Sequence, residues 1–385
     1  MNEEAINFLR TCIEIYSPSG KEKKYSNFLA EFLKEHNFKV SFDSVGNLIA
    51  EKGKGKPVIL FSSHMDTIPG KLPVFEEDGK LYGRGAVDCK PSLAAMVYSL
   101  TQYNFNKDII GKIIFSGIVR EEESLVGIRE LIKSDIDPDF AIFGEPTGIN
   151  QICIGYKGRL SLAFRVLSTT GHVASSWQYN NAIEISLEIW NIIKVVCWKL
   201  NESLLKTKLN KTRYFDKIIP NVTVITGGYL TNCVPSECTI KIDIRFPPSI
   251  NSNIIINEIR NRILEFQNSY EKNHRTKIRI QENISSLVEG FEIKENEFII
   301  GALRWAIYNT IKEKPVLIKK TGTTFINNIG IEFKIPSITY GPGDPKLEHT
   351  DLEFIDLNEY LKSIEIYQKF LTKFYRMYKK KAERK

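Results

Sequence analysis

The spacing of apolar positions over the first 155 residues predicts alternating helices and strands. Residues 3–16 and 21–36 carry apolar side chains at helical spacing, and a third helical segment follows at 91–103. Short apolar runs predict strands at Lys39–Phe42, Leu48–Ala50, Val58–Ser62, Ile113–Ile118 and Phe140–Phe143. This alternation favours an α/β sheet covered by helices on both faces.

From about residue 159 the pattern changes to strands and helices in the order β-α-β-β-α-β. The six elements are Arg159–Leu167, Asn181–Leu204, Val222–Thr226, Cys238–Phe246, Asn253–Asn268 and Lys277–Gln281. This order is typical of the ferredoxin-like split βαβ unit. After about residue 290 the earlier pattern resumes, and it ends in a helix at Leu357–Lys380.

A chain of 385 residues is long for one hydrophobic core, so two domains are expected. We predict a discontinuous catalytic domain, 1–158 plus 287–385, interrupted by a smaller inserted domain at 159–286. Hydrophobic content of 42% with 26% charged residues is ordinary for a globular protein.

The N-terminus lacks the apolar core of a signal peptide, and no apolar run approaches the ~20 residues of a membrane helix. We therefore expect a cytoplasmic protein without a membrane segment, whose six scattered cysteines are buried thiols. The net charge of +7 has much of its excess in the tail at 376–385. Such a tail is usually a solvated helix end, and the alternative is attraction to an acidic partner. No nucleic-acid-binding signature is present.

Five polar motifs follow predicted strands or stand in loops. They centre on His64, with Asp66 two residues on, and on Asp88, Glu121-Glu122-Glu123, Glu145 and His349. Each has an ordinary structural explanation, such as a helix N-cap for Asp88 or a solvated charge run for the glutamates. Open α/β sheets, however, keep their active sites outside the strand ends, and packing alone does not explain five such motifs.

The chemistry of this residue set points to a metal centre. Two imidazoles and three carboxylates can hold two divalent ions such as Zn²⁺. Paired ions roughly 3.5–4 Å apart activate water and polarise a carbonyl, which is amide-hydrolysis chemistry. A carboxylate beside them would carry the proton from water to the leaving amine.

These motifs resemble the di-zinc aminoacylase/carboxypeptidase family, which includes acetylornithine deacetylase and succinyl-diaminopimelate desuccinylase. The resemblance covers nearly the whole chain. It implies a zinc-peptidase-like mixed sheet flanked by helices, with an inserted ferredoxin-like α+β lid and dimerisation domain. It also implies two ions, Zn²⁺ or Co²⁺, and a homodimer.

The resemblance assigns the metal ligands residue by residue. His64 and Glu145 would bind one ion, Glu122 and His349 the other, and Asp88 would bridge them, while Asp66 would orient His64. Counting from Gly117 to Gly127 favours Glu121 as the general base and Glu122 as the ligand. The alternative register makes Glu122 the base and Glu123 the ligand.

The resemblance also assigns residues that contact substrate. His172 would reach the oxyanion of a tetrahedral intermediate, and Asn232 and Arg245 would hold a substrate carboxylate. Alternatively, His172 is a surface histidine and Arg245 forms a salt bridge on a strand face. Thr323 and Gly343 belong to matching segments and are further substrate-binding candidates.

Within the family, the likeness is greatest to hydrolases that release lysine or ornithine from the C-terminal glutamate of a small acidic carrier protein. The segments that carry this likeness include Ser63–Gly70 and Tyr340–Gly343. This chain departs from the pattern of those hydrolases at two positions. Phe325 replaces an aspartate that could recognise a substrate amino group, and Pro91 replaces a glycine.

The sequence thus predicts a metal-dependent amidohydrolase that releases lysine or ornithine from an N-acyl or carrier-linked (γ-glutamyl) precursor. A second interpretation keeps the mechanism but makes the protein a dipeptidase or aminoacylase with an apolar pocket near Phe325. A third is a non-catalytic binding paralogue, which should have lost ligands or the base.

Overall fold

The computed structural model describes residues 2–104, 111–206 and 214–383, which form nine α-helices and sixteen strands. The helices are α1 (Asn2–Glu14), α2 (Lys23–Glu35), α3 (Lys90–Gln102), α4 (Val126–Lys133), α5 (Ala182–Lys206), α6 (Ser252–His274), α7 (Phe298–Ile311), α8 (Ile326–Glu332) and α9 (Leu357–Ala382). The last two residues of the basic tail, Arg384 and Lys385, lie outside the described residues.

The strands begin with β1 (Lys39–Phe42), β2 (Leu48–Lys54), β3 (Val58–His64), β4 (Phe75–Glu77), β5 (Lys80–Tyr82), β6 (Gly111–Ile118), β7 (Phe140–Gly144) and β8 (Gln151–Tyr156). They continue with β9 (Gly158–Leu167), β10 (Ile219–Gly227), β11 (Glu237–Phe246), β12 (Arg279–Val288), β13 (Phe291–Glu292), β14 (Val316–Lys320), β15 (Ser337–Thr339) and β16 (Phe354–Asp356). Short 3-10 helices lie at Val173–Gln178, Tyr214–Asp216 and Pro345–Leu347.

The chain divides into two compact units. The first contains Met1–Gly155, Ile293–Lys319 and Thr324–Lys385, and the second contains Tyr156–Glu292 and Lys320–Thr323. The sequence places 156–158, 287–292 and 320–323 in the catalytic domain, whereas the structure groups them with the second unit. The functional division into catalytic and lid domains remains a prediction.

The first unit is built on a large mixed sheet, in which the strands lie in the order β1-β2-β6-β3-β7-β15-β8. The central strands β6, β3, β7 and β15 are parallel to one another. At the sides of this group, β2 pairs antiparallel with β6 and with β1, and β8 pairs antiparallel with β15. Every residue of β3 is buried. This explains its continuous apolar run, since a central parallel strand is covered on both faces.

Helices α1, α3, α7 and α9 contribute to the hydrophobic core of the first unit. Nearly every residue of α3 is buried, including Lys90, whose ammonium group donates to the carbonyl oxygens of Cys12 and Ile15. A helix with an apolar surface on all sides is stable only inside a protein, which fixes α3 as a central element. All six cysteines are free thiols, and all except Cys233 are buried.

The second unit has a four-stranded antiparallel sheet in the order β10-β11-β9-β12. Residues of β9 alternate between buried and more exposed positions, and the buried ones share a core with residues of α5 and α6. This is the ferredoxin-like arrangement expected from the order of elements. The predicted fold class, a mixed α/β sheet flanked by helices with a ferredoxin-like insertion, is confirmed.

Among the helices of the described residues, none is long and apolar enough to span a bilayer.

Candidate metal centre

The predicted ligands lie at one edge of the large sheet. His64 is the last residue of β3, Glu145 directly follows β7, and Glu121 and Glu122 stand just beyond β6. These strands are adjacent and parallel, so their carboxyl ends meet at the same edge. The neighbouring strand β15 ends at the same edge and leads into the loop that carries His349.

Asp88 lies between two imidazole rings. Its Oδ1 is 3.0 Å from His64 Nε2, and its Oδ2 is 3.1 Å from His349 Nε2. One carboxylate therefore offers a separate oxygen to each histidine. This arrangement is compatible with the predicted role of Asp88 as a ligand shared by two metal ions.

Glu145 and Glu122 complete two groups of potential ligand atoms, each with its atoms within 4.8 Å of one another. Glu145 Oε1 is 3.9 Å from His64 Nε2, and Glu122 Oε1 is 2.9 Å from His349 Nε2. The first group is buried, with the His64 side chain 1% exposed, whereas the His349 side chain is 48% exposed. All five predicted ligands are thus brought together.

Asp66 supports both the histidine and the glutamates. His64 Nδ1 lies 2.9 Å from the Asp66 carbonyl oxygen and 3.4 Å from its carboxylate, so Nδ1 carries a proton and Nε2 is the nitrogen that could bind a metal ion. The Asp66 carboxylate also accepts hydrogen bonds from the backbone N–H groups of Glu121 and Glu122, at 3.0 and 3.1 Å. It therefore orients the turn that carries both glutamates.

Glu121 stands outside both ligand groups but beside them. Burial raises the pKa of its carboxyl group to about 7, and the negative charges of Glu122 and Asp88 also raise it, whereas His64 opposes the shift. A carboxyl group that titrates near neutral pH suits a general base. Glu123 is exposed and belongs to neither group, which favours Glu122 over Glu123 as a ligand.

The donor set fits a divalent transition metal. It also includes a thiol, that of Cys89, which was not among the predicted ligands. Cys89 Sγ lies within the first group and is 2.9 Å from Ser63 Oγ. Burial raises the pKa of the Cys89 thiol to about 12, so it is neutral at physiological pH. A metal ion would have to displace this proton to bind Cys89, whereas the carboxylates offer charged oxygen atoms without that step.

Thr324 is a site residue to which the sequence analysis assigned no role. Its hydroxyl lies 2.9 Å from Glu145 Oε1 and 3.2 Å from Glu121 Oε1. The hydroxyl can thus donate a hydrogen bond to one of these carboxylates. When the second carboxyl group is protonated, the hydroxyl oxygen can also accept a hydrogen bond from it. The sequence signal that could have identified Thr324 is its position directly after Thr323, a predicted substrate-binding residue. Phe325, one residue further on, is buried and packs edge-on against Phe143.

Gly343 is the one predicted substrate-binding residue in the first unit. Its φ of +110° is accessible to glycine and strained for other residues, and its N–H donates to Glu359 Oε1. A Cβ at this position would lie 3.3 Å from Pro146 and 3.6 Å from Val87, which are neighbours of Glu145 and Asp88. The glycine therefore permits close packing behind two ligands.

The other predicted substrate contacts lie in the second unit. Arg245 donates to Asp243 on its own strand at 2.7 Å and to the Thr323 hydroxyl at 3.1 Å, so two predicted residues are in contact. His172 is exposed, and its Nδ1 accepts from the Ala174 N–H. The segment after His172 pairs with Asn232, because the Val173 N–H donates to the Asn232 carbonyl oxygen.

Comparison with known proteins places these observations in a family. The model of the peptidase family M20/M25/M40 matches residues 60–373, a span that holds all five predicted ligands. The chain belongs to this family. The predicted resemblance to the di-zinc aminoacylase/carboxypeptidase family and the predicted hydrolase class are thereby confirmed.

Two relatives have names that specify a substrate. A Pyrococcus furiosus protein with the provisional name LysW-lysine/LysW-ornithine hydrolase is 35% identical over 94% of this chain and 95% of its own length. The LysW-lysine/LysW-ornithine hydrolase of Sulfurisphaera tokodaii is 32% identical over 90% of this chain and 89% of its own. Among solved structures, a Staphylococcus aureus tripeptidase shares the fold, with a TM-score of 0.79, 20% identity and coverage of 98% and 99% of the two chains.

Metal loading of the metal-free protein is expected to release protons. The Asp88 and Glu122 carboxylates raise the pKa of His349 to about 10, so its imidazole is charged at pH 7. Metal binding requires neutral imidazole, and loading at pH 7 should therefore release about one proton from this residue. For the same reason, apparent affinity should rise with pH from 7 towards 10.

Calorimetric titration in two buffers of different ionisation enthalpy measures this proton count. The His349→Ala variant should release about one proton fewer than the wild-type protein at pH 7. Identical heats in both buffers for the wild-type protein would contradict the charged state of His349.

Proposed function

We propose that this protein is a metal-dependent amidohydrolase that releases lysine or ornithine from an N-acyl or carrier-linked (γ-glutamyl) precursor in amino-acid biosynthesis. The placement of Asp88 between His64 and His349 is the observation that carries the hydrolytic chemistry. The names of relatives at 35% and 32% identity, aligned over nearly the full length, support the choice of substrate.

The proposed cofactors are two divalent ions, Zn²⁺ or Co²⁺. His64, Asp88 and Glu145 would hold one ion, and Asp88, Glu122 and His349 the other. Two such ions supply Lewis acidity towards a carbonyl and lower the pKa of water that attacks it. The amide would be a linear, non-peptide C–N bond.

Glu121 is the proposed general base. It would accept a proton from the attacking water and donate it to the leaving nitrogen, which departs as the neutral amine. The Thr324 hydroxyl, 3.2 Å from Glu121 Oε1, would hold the carboxyl group in place in both protonation states. Asp66 would fix the backbone of Glu121 through its N–H group.

We assign the predicted lid domain, 159–286, to substrate recognition and to a homodimer interface, and we assign 1–158 plus 287–385 to catalysis. His172 would donate to the developing oxyanion, and Asn232, Arg245 and Thr323 would bind the substrate carboxylate. The contact between Arg245 and Thr323 supports a shared role.

The proposed partner is a small acidic amino-group carrier protein, with a free N-acyl amino acid as the simpler substrate. The net charge of +7 suits an acidic partner, since opposite charge accelerates encounter. The absence of a membrane-spanning helix among the described residues is compatible with a cytoplasmic location, which we include in the proposal.

Arg245→Met is expected to raise KM by about 10- to 100-fold with a much smaller change in kcat. A charge-assisted hydrogen bond contributes about 1.5–3 kcal/mol to binding, and ground state and transition state both use the carboxylate contact. Steady-state kinetics measure the changes in KM and kcat separately. Arg165→Met is the matched control, because Arg165 pairs with Glu237 in the same sheet and is half exposed. Equal kinetics for the two variants would exclude Arg245 from the binding site.

A peptidase is the second candidate. Phe325 stands where the carrier-dependent enzymes resembled by this chain have an aspartate, and it is buried against Phe143 rather than available to a substrate amino group. Loss of that carboxylate would favour substrates without a side-chain ammonium group. The structural likeness to a tripeptidase shows a shared fold only.

Release of free amino acid from a substrate panel tests the two candidates. The panel consists of N-acetyl-lysine, N-acetyl-ornithine, γ-glutamyl-lysine, succinyl-diaminopimelate and several dipeptides, each with Zn²⁺- or Co²⁺-loaded protein and a chelator control. Chelator-sensitive release of lysine or ornithine supports the proposal. Cleavage of dipeptides alone would replace it with the peptidase. Absence of turnover on the panel and on a lysine-loaded carrier protein would refute both.

A further inference from the structure

A buried ion pair, Arg84–Glu353, lies outside both groups of predicted ligands. Arg84 and Glu353 are 6% and 1% exposed, and Arg84 Nη1 donates to Glu353 Oε1. A buried ion pair offers little net stability compared with apolar packing. The contacts of this pair instead point to a role in shaping the site.

Glu353 holds the loop that leads to Asp88. Its Oε2 accepts a hydrogen bond from the Gly85 N–H at 2.8 Å and a longer one from the Val87 N–H at 3.4 Å. Its backbone carbonyl oxygen accepts from the Gly83 N–H. Three N–H groups in the five residues before the bridging ligand thus converge on one glutamate.

Arg84 extends the same network to the loop that carries His349. Its Nη1 donates to the carbonyl oxygen of Thr350, the residue after His349, at 2.9 Å. Its Nε donates to the Gly70 carbonyl oxygen at 2.8 Å, which fixes the plane of the guanidinium group. One rigid side chain therefore connects the backbone next to His349 with the carboxylate that organises the Asp88 loop.

The two ligand groups differ in how they are held. His64 ends β3 and Glu145 follows β7, two paired strands at the centre of the sheet. His349 lies in a loop, has a φ of +63° and is half exposed. His349 therefore lacks the direct support of a sheet strand that His64 and Glu145 have.

We propose that Arg84 and Glu353 are positioning residues that set the distance between Asp88 and His349, and thereby determine the affinity of the second ion. This inference rests on the proposed two-ion centre. Loss of partners that orient metal ligands typically weakens metal affinity by about 10- to 100-fold. The ion held by His64, Asp88 and Glu145 should be less affected, because the paired strands β3 and β7 hold His64 and Glu145 independently of the Asp88 loop.

Zn²⁺ titration of the metal-free full chain, by calorimetry and by metal analysis after desalting, tests the inference. We expect two ions per wild-type chain. For Glu353→Gln we expect one ion bound with nearly wild-type affinity and a second bound about 10- to 100-fold more weakly. Arg84→Lys keeps the charge but not the planar pair of backbone contacts, and it should show the same selective loss.

Asp139→Asn is the matched control, because Asp139 accepts from the Val58 N–H at the other end of β3 and pairs with Lys56. It should bind both ions as the wild-type protein does. Equal weakening of both ions in Glu353→Gln and Arg84→Lys, or unchanged affinity for both, would overturn the positioning role. Fewer than two ions in the wild-type protein would instead overturn the proposed centre itself.

Discussion

Replacing Glu121 with glutamine is expected to lower kcat by about 10²- to 10⁴-fold, the usual contribution of a general acid–base group. Glu121 lies next to both ligand groups without belonging to either, and burial raises its pKa to about 7. Glutamine preserves the shape and the contact with Thr324 but cannot accept a proton. Metal content should remain at the wild-type value.

Substitutions of the two neighbouring glutamates test which of the three is the base and which is the metal ligand. Glu122→Gln removes a proposed ligand and should lower metal content together with activity. Glu123→Gln alters an exposed side chain of the same turn and should leave both unchanged. Metal analysis and kcat measured on the three variants complete the experiment. Near-normal turnover by Glu121→Gln would make Glu122 the base and Glu123 the ligand.

Replacing Asp88 with asparagine is expected to remove most bound metal and to lower kcat/KM by about 10³-fold or more, because several kcal/mol of transition-state stabilisation depend on the ions. Asp88 offers one oxygen to the His64 side and the other to the His349 side. A neutral amide presents one oxygen and one N–H₂ donor, so it cannot bridge two cations.

Comparison with His349→Ala separates the bridging role from that of a single ligand. His349 belongs to one ligand group, so its loss should leave close to one ion per chain, whereas Asp88→Asn should leave less than one. Ligand binding to the folded state raises thermal stability, and added Zn²⁺ should therefore raise the Tm of His349→Ala more than that of Asp88→Asn. Identical metal content in the two variants would argue against a bridging carboxylate.

Local sequence patterns predicted the long elements of this protein because each carries enough periodic residues to be distinguished. The structure has β9 and β11 within one residue of their predicted bounds and α9 within two residues. Shorter elements such as α4, α8 and β16 were not predicted. These segments are three to eight residues long, which is too short for a clear repeat of apolar positions. They adopt regular structure through contacts with their neighbours in the fold.

The candidate ligands could be found from the sequence because each stands directly after an apolar strand or in a loop between elements. The pairing of strands could not be found in the same way. Strand β15 lies beside β7, nearly 200 residues earlier in the chain, and this pairing brings the loop of His349 to the edge where His64 and Glu145 lie. Long-range pairing reflects packing of the whole sheet rather than any local signal.

The sequence by itself determined the order of the longer elements, the family and the residue types that can bind two metal ions. Only the tertiary structure revealed that Glu122 rather than Glu123 faces His349, that Thr324 contacts Glu121 and Glu145, and that Cys89 lies among the ligands. The Arg84–Glu353 pair likewise joins residues 269 positions apart. Side-chain direction and the partners of buried polar groups depend on packing between distant segments, which no local pattern encodes.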